Sequence, residues 1–206
     1  MSIFSKYISP RLMNMFMSVQ VITPYRAELL QYAQGKILEI GFGSGLNLPH
    51  YPAGVREIDI VEINEGMKNL AQKNIAQSTI QVNYHTLNAE LLPFPAATFD
   101  TVVSAWTLCS IAEVSRALAE IYRVLKPDGQ FLFAEHGLSN EPQVQKWQHR
   151  LTPIQKIIAD GCHLDRNIEA LIAEAGFKFR KLRKEYAGSP KVASYFYIGV
   201  ATKAIP

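Results

Sequence analysis

Cysteine is almost missing from this 206-residue chain: Cys109 and Cys162 are the two present, and they form no Cys-x-x-Cys pair. Such sparse, widely separated thiols provide neither a disulfide framework nor the paired ligands of a zinc ribbon. Both are therefore expected to stay reduced and to pack as small buried hydrophobes, with no metal bound. No run of about 18 apolar residues occurs, so no segment reads as a membrane span. The first 25 residues are apolar but interrupted by Lys6, Pro10, Arg11 and Asn14, without a compact block ahead of a small-residue cleavage site. That pattern does not predict a secretory leader, and a cytoplasmic location is expected. An excess of one charge is also lacking, with 21 basic against 18 acidic residues. Five of the basic residues (Lys178, Arg180, Lys181, Arg183, Lys184) lie in one strand-like run, which reads as a solvated face rather than a nucleic-acid surface. Repeats and low-complexity linkers are missing too, as a single domain around one core requires.

What is present is an alternation of short apolar strands and helices. "KILEI", "REIDIVEI", "IQVNYH", "FDTVVSAW" and "QFLFAEH" read as five strands. Helical patterns fill "NEGMKNLAQKNI" and "AEVSRALAEIYRVL", the second stopped by a turn at Lys126 to Gly129. Alternation of this kind predicts a parallel sheet with helices on both faces. The later part differs: after a helix at "NIEALIAEAGF", two strand-like runs, "KFRKLRKEY" and "SYFYIGVATKA", follow with no helix between them. They predict an antiparallel hairpin closing a seven-stranded, mostly parallel α/β sheet. Residues 1–34 read as one or two helices outside that core, broken near Pro10 and Pro24. Residues 35–206 form the main domain, with an insertion over 137–166 too long for a plain connection.

Three glycines, Gly41, Gly43 and Gly45, stand on alternate positions after the first strand, which carries Glu39. In a doubly wound sheet this is where ligands bind. A dinucleotide would call for G-x-G-x-x-G, yet Leu46 occupies the third glycine position, so that fingerprint is absent. The pattern E-x-G-x-G-x-G suits a ligand with an amino-acid end, turn amides meeting its carboxylate and Glu39 pairing directly or through water with its ammonium. S-adenosylmethionine has such an end. Its ribose then calls for an acid at the end of the second strand, where Glu62 stands beside Ile63, and Met67 is placed to meet the adenine.

These residues resemble the class I S-adenosylmethionine-dependent methyltransferases of the broad type 11 group, over nearly the whole chain. "NAELLPFPAATFDTVVSAWTL" is similar to that group's signature of a polar-Ala-acid triplet, Leu-Pro-Phe and a Phe-Asp opening strand four, and "IYRVLKPDGQFLF" to its helix-turn-strand. The resemblance implies a Rossmann-like fold, S-adenosylmethionine as cofactor and an adenine-side loop made by Asn88, Ala89 and Glu90. Asn88 stands where the group usually has an acid; an amide still accepts a hydrogen bond. Trp106 and Thr107, after strand four, fall where the group contacts the adenosyl portion. A narrower resemblance rests on "LEIGFGSGLNLPHYP", "TLCSI", "EHGLSNEP" and "DGCHLDR", which look like the methyltransferase-like-seven group. Its animal members methylate small lipophilic thiols.

Methyl transfer needs alignment and exclusion of water more than acid–base chemistry. A thiol acceptor, with an ordinary pKa near 8.5, asks little of a base; a lipid amine or a quinone ring asks more. His136, at the end of strand five, is a candidate general base; the narrower resemblance implies His163 and Asp160, in "DGCHLDR", as further candidates. The N-terminal helices are expected to form a lid, with Tyr7, Phe16 and Tyr25 facing a small or lipid-like acceptor. Contact with a membrane surface is the alternative for them. Neither an N-P-P-Y-like motif nor an appended recognition domain supports a nucleic-acid substrate. A protein that binds the cofactor without turning it over is the competing class.

Overall fold

The computed structural model describes residues 9–204. Seven strands, β1 (Ile37–Ile40), β2 (Glu57–Val61), β3 (Gln81–His85), β4 (Phe99–Ala105), β5 (Leu125–His136), β6 (Phe177–Tyr186) and β7 (Tyr195–Lys203), form one sheet. Their order is β3-β2-β1-β4-β5-β7-β6. The first five run parallel, while β7 lies antiparallel between β5 and β6. The expected mostly parallel sheet with a closing hairpin is the fold observed.

The period-2 alternation of the strands divides the core into two layers. Val102, Phe131 and Phe133 face one side, packing on Leu118, Ile121, Ile168 and Ile172. Val103, Leu132 and Ala134 face the other, packing on Leu29, Leu30, Ile58 and Ile60. The first side is covered by α4 (Val114–Val124) and α6 (Ile168–Glu174), the second partly by α2 (Thr23–Leu30). Within α4, Val114, Ala117, Leu118, Ile121 and Val124 are buried at helical spacing, the apolar stripe that makes this segment helical. Along β2, α3 (Glu65–Gln77) starts from an Asn64 cap whose side chain accepts from the Gly66 amide over 2.9 Å.

Prolines and one turn set the remaining boundaries. The chain ahead of Ser9, next to Pro10, lies outside the described residues, while Pro24 lies in the first turn of α2, after the break that separates α1 (Ser9–Met17) from it. A proline there lacks only an N–H that would have had no helical partner. Strand β5 starts at Leu125, opposite Phe99, but Gln130 is already opposite Thr101. Lys126 to Gly129 therefore loop out of the ladder as the expected turn, with Lys126 paired to Asp100 over 2.6 Å. The insertion carries one helix, α5 (Pro142–Ile158). Tyr7 lies outside the described residues, and so does the side chain of Phe16.

Candidate active site

Strand order reverses between β1 and β4, and a cavity of about 380 Å³ opens at their carboxyl ends. The chain leaves β1 through Gly41, Gly43 and Gly45, all with φ between 57° and 79°. Two of them show why a side chain is refused. A Cβ on Gly41 would lie 2.1 Å from the Thr107 hydroxyl, so the loop presses directly on the segment after β4. A Cβ on Gly43 would meet no atom of the described residues within 4 Å, and Gly43 lines the cavity. This is a backbone kept bare for a ligand.

Glu62, buried at the tip of β2, borders the same space. Its carboxylate accepts from the Gly43 amide over 2.9 Å and from the Asn64 amide over 2.8 Å. Burial raises its pKa, these amides pull it back, and nearby Asp160 adds to the rise. Each oxygen keeps lone-pair capacity for a neighbouring hydroxyl. Ile63, Met67, Asn88, Ala89, Glu90 and Trp106 line the cavity as well. The Asn88 side chain accepts from the Glu90 amide, and the Glu90 carboxylate in turn accepts from the Glu113 amide ahead of α4. The loop at residues 88–90 is thus tied to the start of α4. The Trp106 indole N–H is buried with no hydrogen-bond partner among the described residues, a donor left over at the cavity wall. A bare loop, a carboxylate with spare acceptor capacity and an unused donor fit an adenosyl ligand with an amino-acid end.

Glu39 has a different place from the one expected. It does not line the cavity; its two oxygens accept from the Asn47 side chain over 2.8 Å and the Tyr51 hydroxyl over 2.7 Å. Burial pushes its pKa up to about 7, against the lowering effects of Tyr51, Asn47 and Arg26. Asn47 passes the contact on: its carbonyl accepts from Arg26 over 2.6 Å, and both Asn47 and Arg26 line the cavity. Burial lowers the Arg26 guanidinium to about 10. That guanidinium lies 4.7 Å from the centre of the Trp106 ring. Arg26, Asn47 and Tyr51 were not singled out in the sequence, where an arginine in a short N-terminal helix looks like any surface charge.

Among the three groups chosen for proton transfer, only Asp160 lines the cavity. It follows α5 with φ of 49°, and accepts from the Asn64 side chain over 3.3 Å. His136 and His163 do not line the cavity. The His163 amide donates to the Cys109 carbonyl, and its ring lies 3.8 Å from Asp165. His136, the last residue of β5, turns its Nε2 to Cys162 Sγ at 2.9 Å, and Cys162 Sγ is 3.7 Å from Cys109 Sγ. The two thiols, remote in sequence, therefore share one site; linear spacing could not reveal it. The neighbouring Cys109 and burial both raise the Cys162 pKa. Glu135 was also missed. It is fully buried, accepting from Ser104 over 2.7 Å and the Thr107 amide over 3.1 Å, and it steadies the turn that presents Trp106.

A glycine loop, a buried acid at the tip of β2 and a seven-stranded sheet ending in an antiparallel hairpin define a Rossmann-like methyltransferase fold. Residues 38–133 match the model of the methyltransferase domain family. The chain is 33% identical over 148 residues to thiol S-methyltransferase TMT1B of Rattus norvegicus, covering 68% of this chain and 59% of that one. It is 34% identical over 104 residues to the ubiquinone/menaquinone biosynthesis C-methyltransferase UbiE of a Marinomonas species, covering 48% and 41%. The fold of a SAM-dependent methyltransferase from Thermotoga maritima superposes with a TM-score of 0.66 at 20% identity, covering 97% of this chain and all of that one. The chain belongs to the S-adenosylmethionine-dependent methyltransferases. It spans 59% and 62% of the length of the rat TMT1B and human TMT1A thiol S-methyltransferases.

Proposed function

We propose that the chain transfers a methyl group from S-adenosylmethionine to a small lipophilic acceptor, a thiol ahead of a quinone ring or a lipid amine. The observation that carries this reading is Glu62, held at the cavity edge by the Gly43 and Asn64 amides with acceptor capacity to spare. In this reading Glu62 receives the ribose hydroxyls, Asn88 and the Ala89 backbone meet the adenine, and Arg26 holds the carboxylate of the amino-acid end. Glu39 acts one step behind, orienting Asn47. The bound cofactor supplies a methyl group on a positively charged sulfur, whose departure leaves a neutral thioether.

Met13, Met17 and Ile111 line the same cavity and make an apolar wall that excludes water from the methyl group. Methionine adapts to irregular apolar shapes, which suits a lipophilic acceptor. Asp160, which lines the cavity on the loop after α5, takes the acceptor proton. The thiol reading leans on the rat TMT1B likeness, and the quinone reading on the UbiE likeness. Turnover of labelled S-adenosylmethionine against alkyl thiols, quinol precursors and phosphatidylethanolamine tests it. Thiol methylation abolished in Glu62→Ala supports the reading; cofactor binding without turnover on every acceptor would favour the non-catalytic class.

The proposal extends to location: the cytoplasmic side, with peripheral membrane contact through the N-terminal segment. Leu12, Met15, Val19 and Val21 are exposed apolar residues there, and no described helix is long and apolar enough to cross a membrane. Flotation with anionic lipid vesicles, lost in Met15→Glu, checks it.

A further inference from the structure

The three short motifs "TLCSI", "EHGLSNEP" and "DGCHLDR" are far apart in the chain, and methyl transfer as derived above uses none of their central residues. Folding brings one side chain from each to a single point. Cys109 Sγ, His136 Nε2 and Cys162 Sγ all lie within 4.8 Å of one another. We propose that Cys109, His136 and Cys162 bind Zn²⁺ through two thiolates and one imidazole, behind the wall of the cofactor cavity.

The geometry matches the ion. Zinc–sulfur bonds of about 2.3 Å at a tetrahedral angle put two sulfurs roughly 3.8 Å apart, and here they stand at 3.7 Å. The same bonds put sulfur and imidazole nitrogen about 3.5 Å apart, so His136 Nε2, now 2.9 Å from Cys162, needs a shift of roughly half an ångström. Donor chemistry agrees as well, since two soft thiolates with one imidazole select zinc over magnesium or calcium. Cys109 and Cys162 are 2% and 3% exposed, deep enough to exclude competing solvent ligands. The Ser110 hydroxyl, 3.5 Å from Cys109 Sγ, borders the group with an oxygen donor.

Binding balances without oxidation or reduction. Zn²⁺ enters, each thiol releases one proton, and the resulting site of one dication and two thiolates is neutral, the condition under which burying charge is least costly. The site also has a structural consequence. Ser110, Ile111, Ala159 and Asp160, which line the cavity, sit on the same two loops as Cys109 and Cys162. A bound ion would fix those loops to the end of β5. The site stands independently of which acceptor is methylated.

Full-length protein, stripped with a chelator and kept reduced, is titrated with Co²⁺. The expected result is one equivalent bound with thiolate-to-cobalt charge-transfer absorption, bleached by Zn²⁺, and a higher melting temperature with Zn²⁺. Cys109→Ser and Cys162→Ser should each lose the absorption while retaining the wild-type circular dichroism. If those variants misfold, wild-type thiol alkylation provides the second reading, and Zn²⁺ should slow it at both cysteines. No charge-transfer band in folded wild-type protein overturns the proposal. So does undiminished Zn²⁺ binding in the double serine variant.

Discussion

The Gly43 amide donates to the Glu62 carboxylate over 2.9 Å, binding the loop after β1 to the tip of β2. Both ends of that bond border the cavity, so the contact sets the distance between the two halves of the cofactor site. Replacing Glu62 by Ala removes two hydrogen bonds from a charged acceptor to the ligand. At about 1.5 kcal/mol each, the loss is roughly 100-fold in S-adenosylmethionine affinity. Calorimetric titration measures it, and Glu62→Gln should fall between wild type and Ala.

Gly41 and Gly43 make opposite predictions for the same substitution. Gly43→Ala meets no atom of the described residues, so its folding cost is the left-handed backbone alone, about 1–2 kcal/mol. Its methyl group enters the cavity and should weaken cofactor binding by more than tenfold. Gly41→Ala carries the same backbone cost and also strikes Thr107 at 2.1 Å. It should melt several degrees below Gly43→Ala. Equal melting temperatures for the two would contradict this reading of the loop.

Glu39 gives the apo protein a pH dependence. Its pKa in the fold is raised from an ordinary 4.5 to about 7. The folded chain then holds a proton the unfolded chain has released, so this contribution to stability is complete below 4.5 and is lost as pH rises through 7. Melting curves from pH 5 to 8 should show Glu39→Gln as flatter than wild type, and more stable relative to it at pH 8.

Arg26 is the cation of that buried group. Arg26→Met removes the donor to the Asn47 carbonyl and to the Met17 carbonyl, at 2.6 and 3.2 Å. With hydrogen bonds of a charged donor worth about 1.5–3 kcal/mol each, the loss of two should cost about 3–6 kcal/mol of stability in urea unfolding. The same change in a Glu39→Gln background should cost less, because a neutral amide no longer needs the nearby cation. Additive effects in the double-mutant cycle would place the two residues in separate networks.

Much of this molecule was legible before folding. Strand alternation at Val102/Val103 and Phe131/Leu132/Phe133 announces a sheet covered on both sides, and the spaced glycines with Glu62 announce a ligand site at its switch point. These signals are local, carried within a few residues. Arg26, Asn47, Tyr51 and Glu135 were not legible, because each owes its role to a partner supplied by folding. Arg26 reaches Asn47, and Glu135 reaches Ser104 across adjacent strands. The partner of His136 was hidden for the same reason: its strand-end position was legible, but the turn of its ring toward Cys162 was not. The cysteines show the converse, since a sequence rule based on short spacing is blind to side chains gathered from two loops and a strand end.

Strand β7 is the last of the seven to be translated, yet it occupies an inner position, paired on both sides by β5 and β6. On the ribosome, the first five strands can assemble while β5 still offers a bare edge over residues 130–136. That edge is a template for pairing with another nascent chain until residues 195–203 emerge. Biogenesis of this fold therefore carries a vulnerable interval, and its length is set by the time taken to synthesise the stretch from β5 to β7.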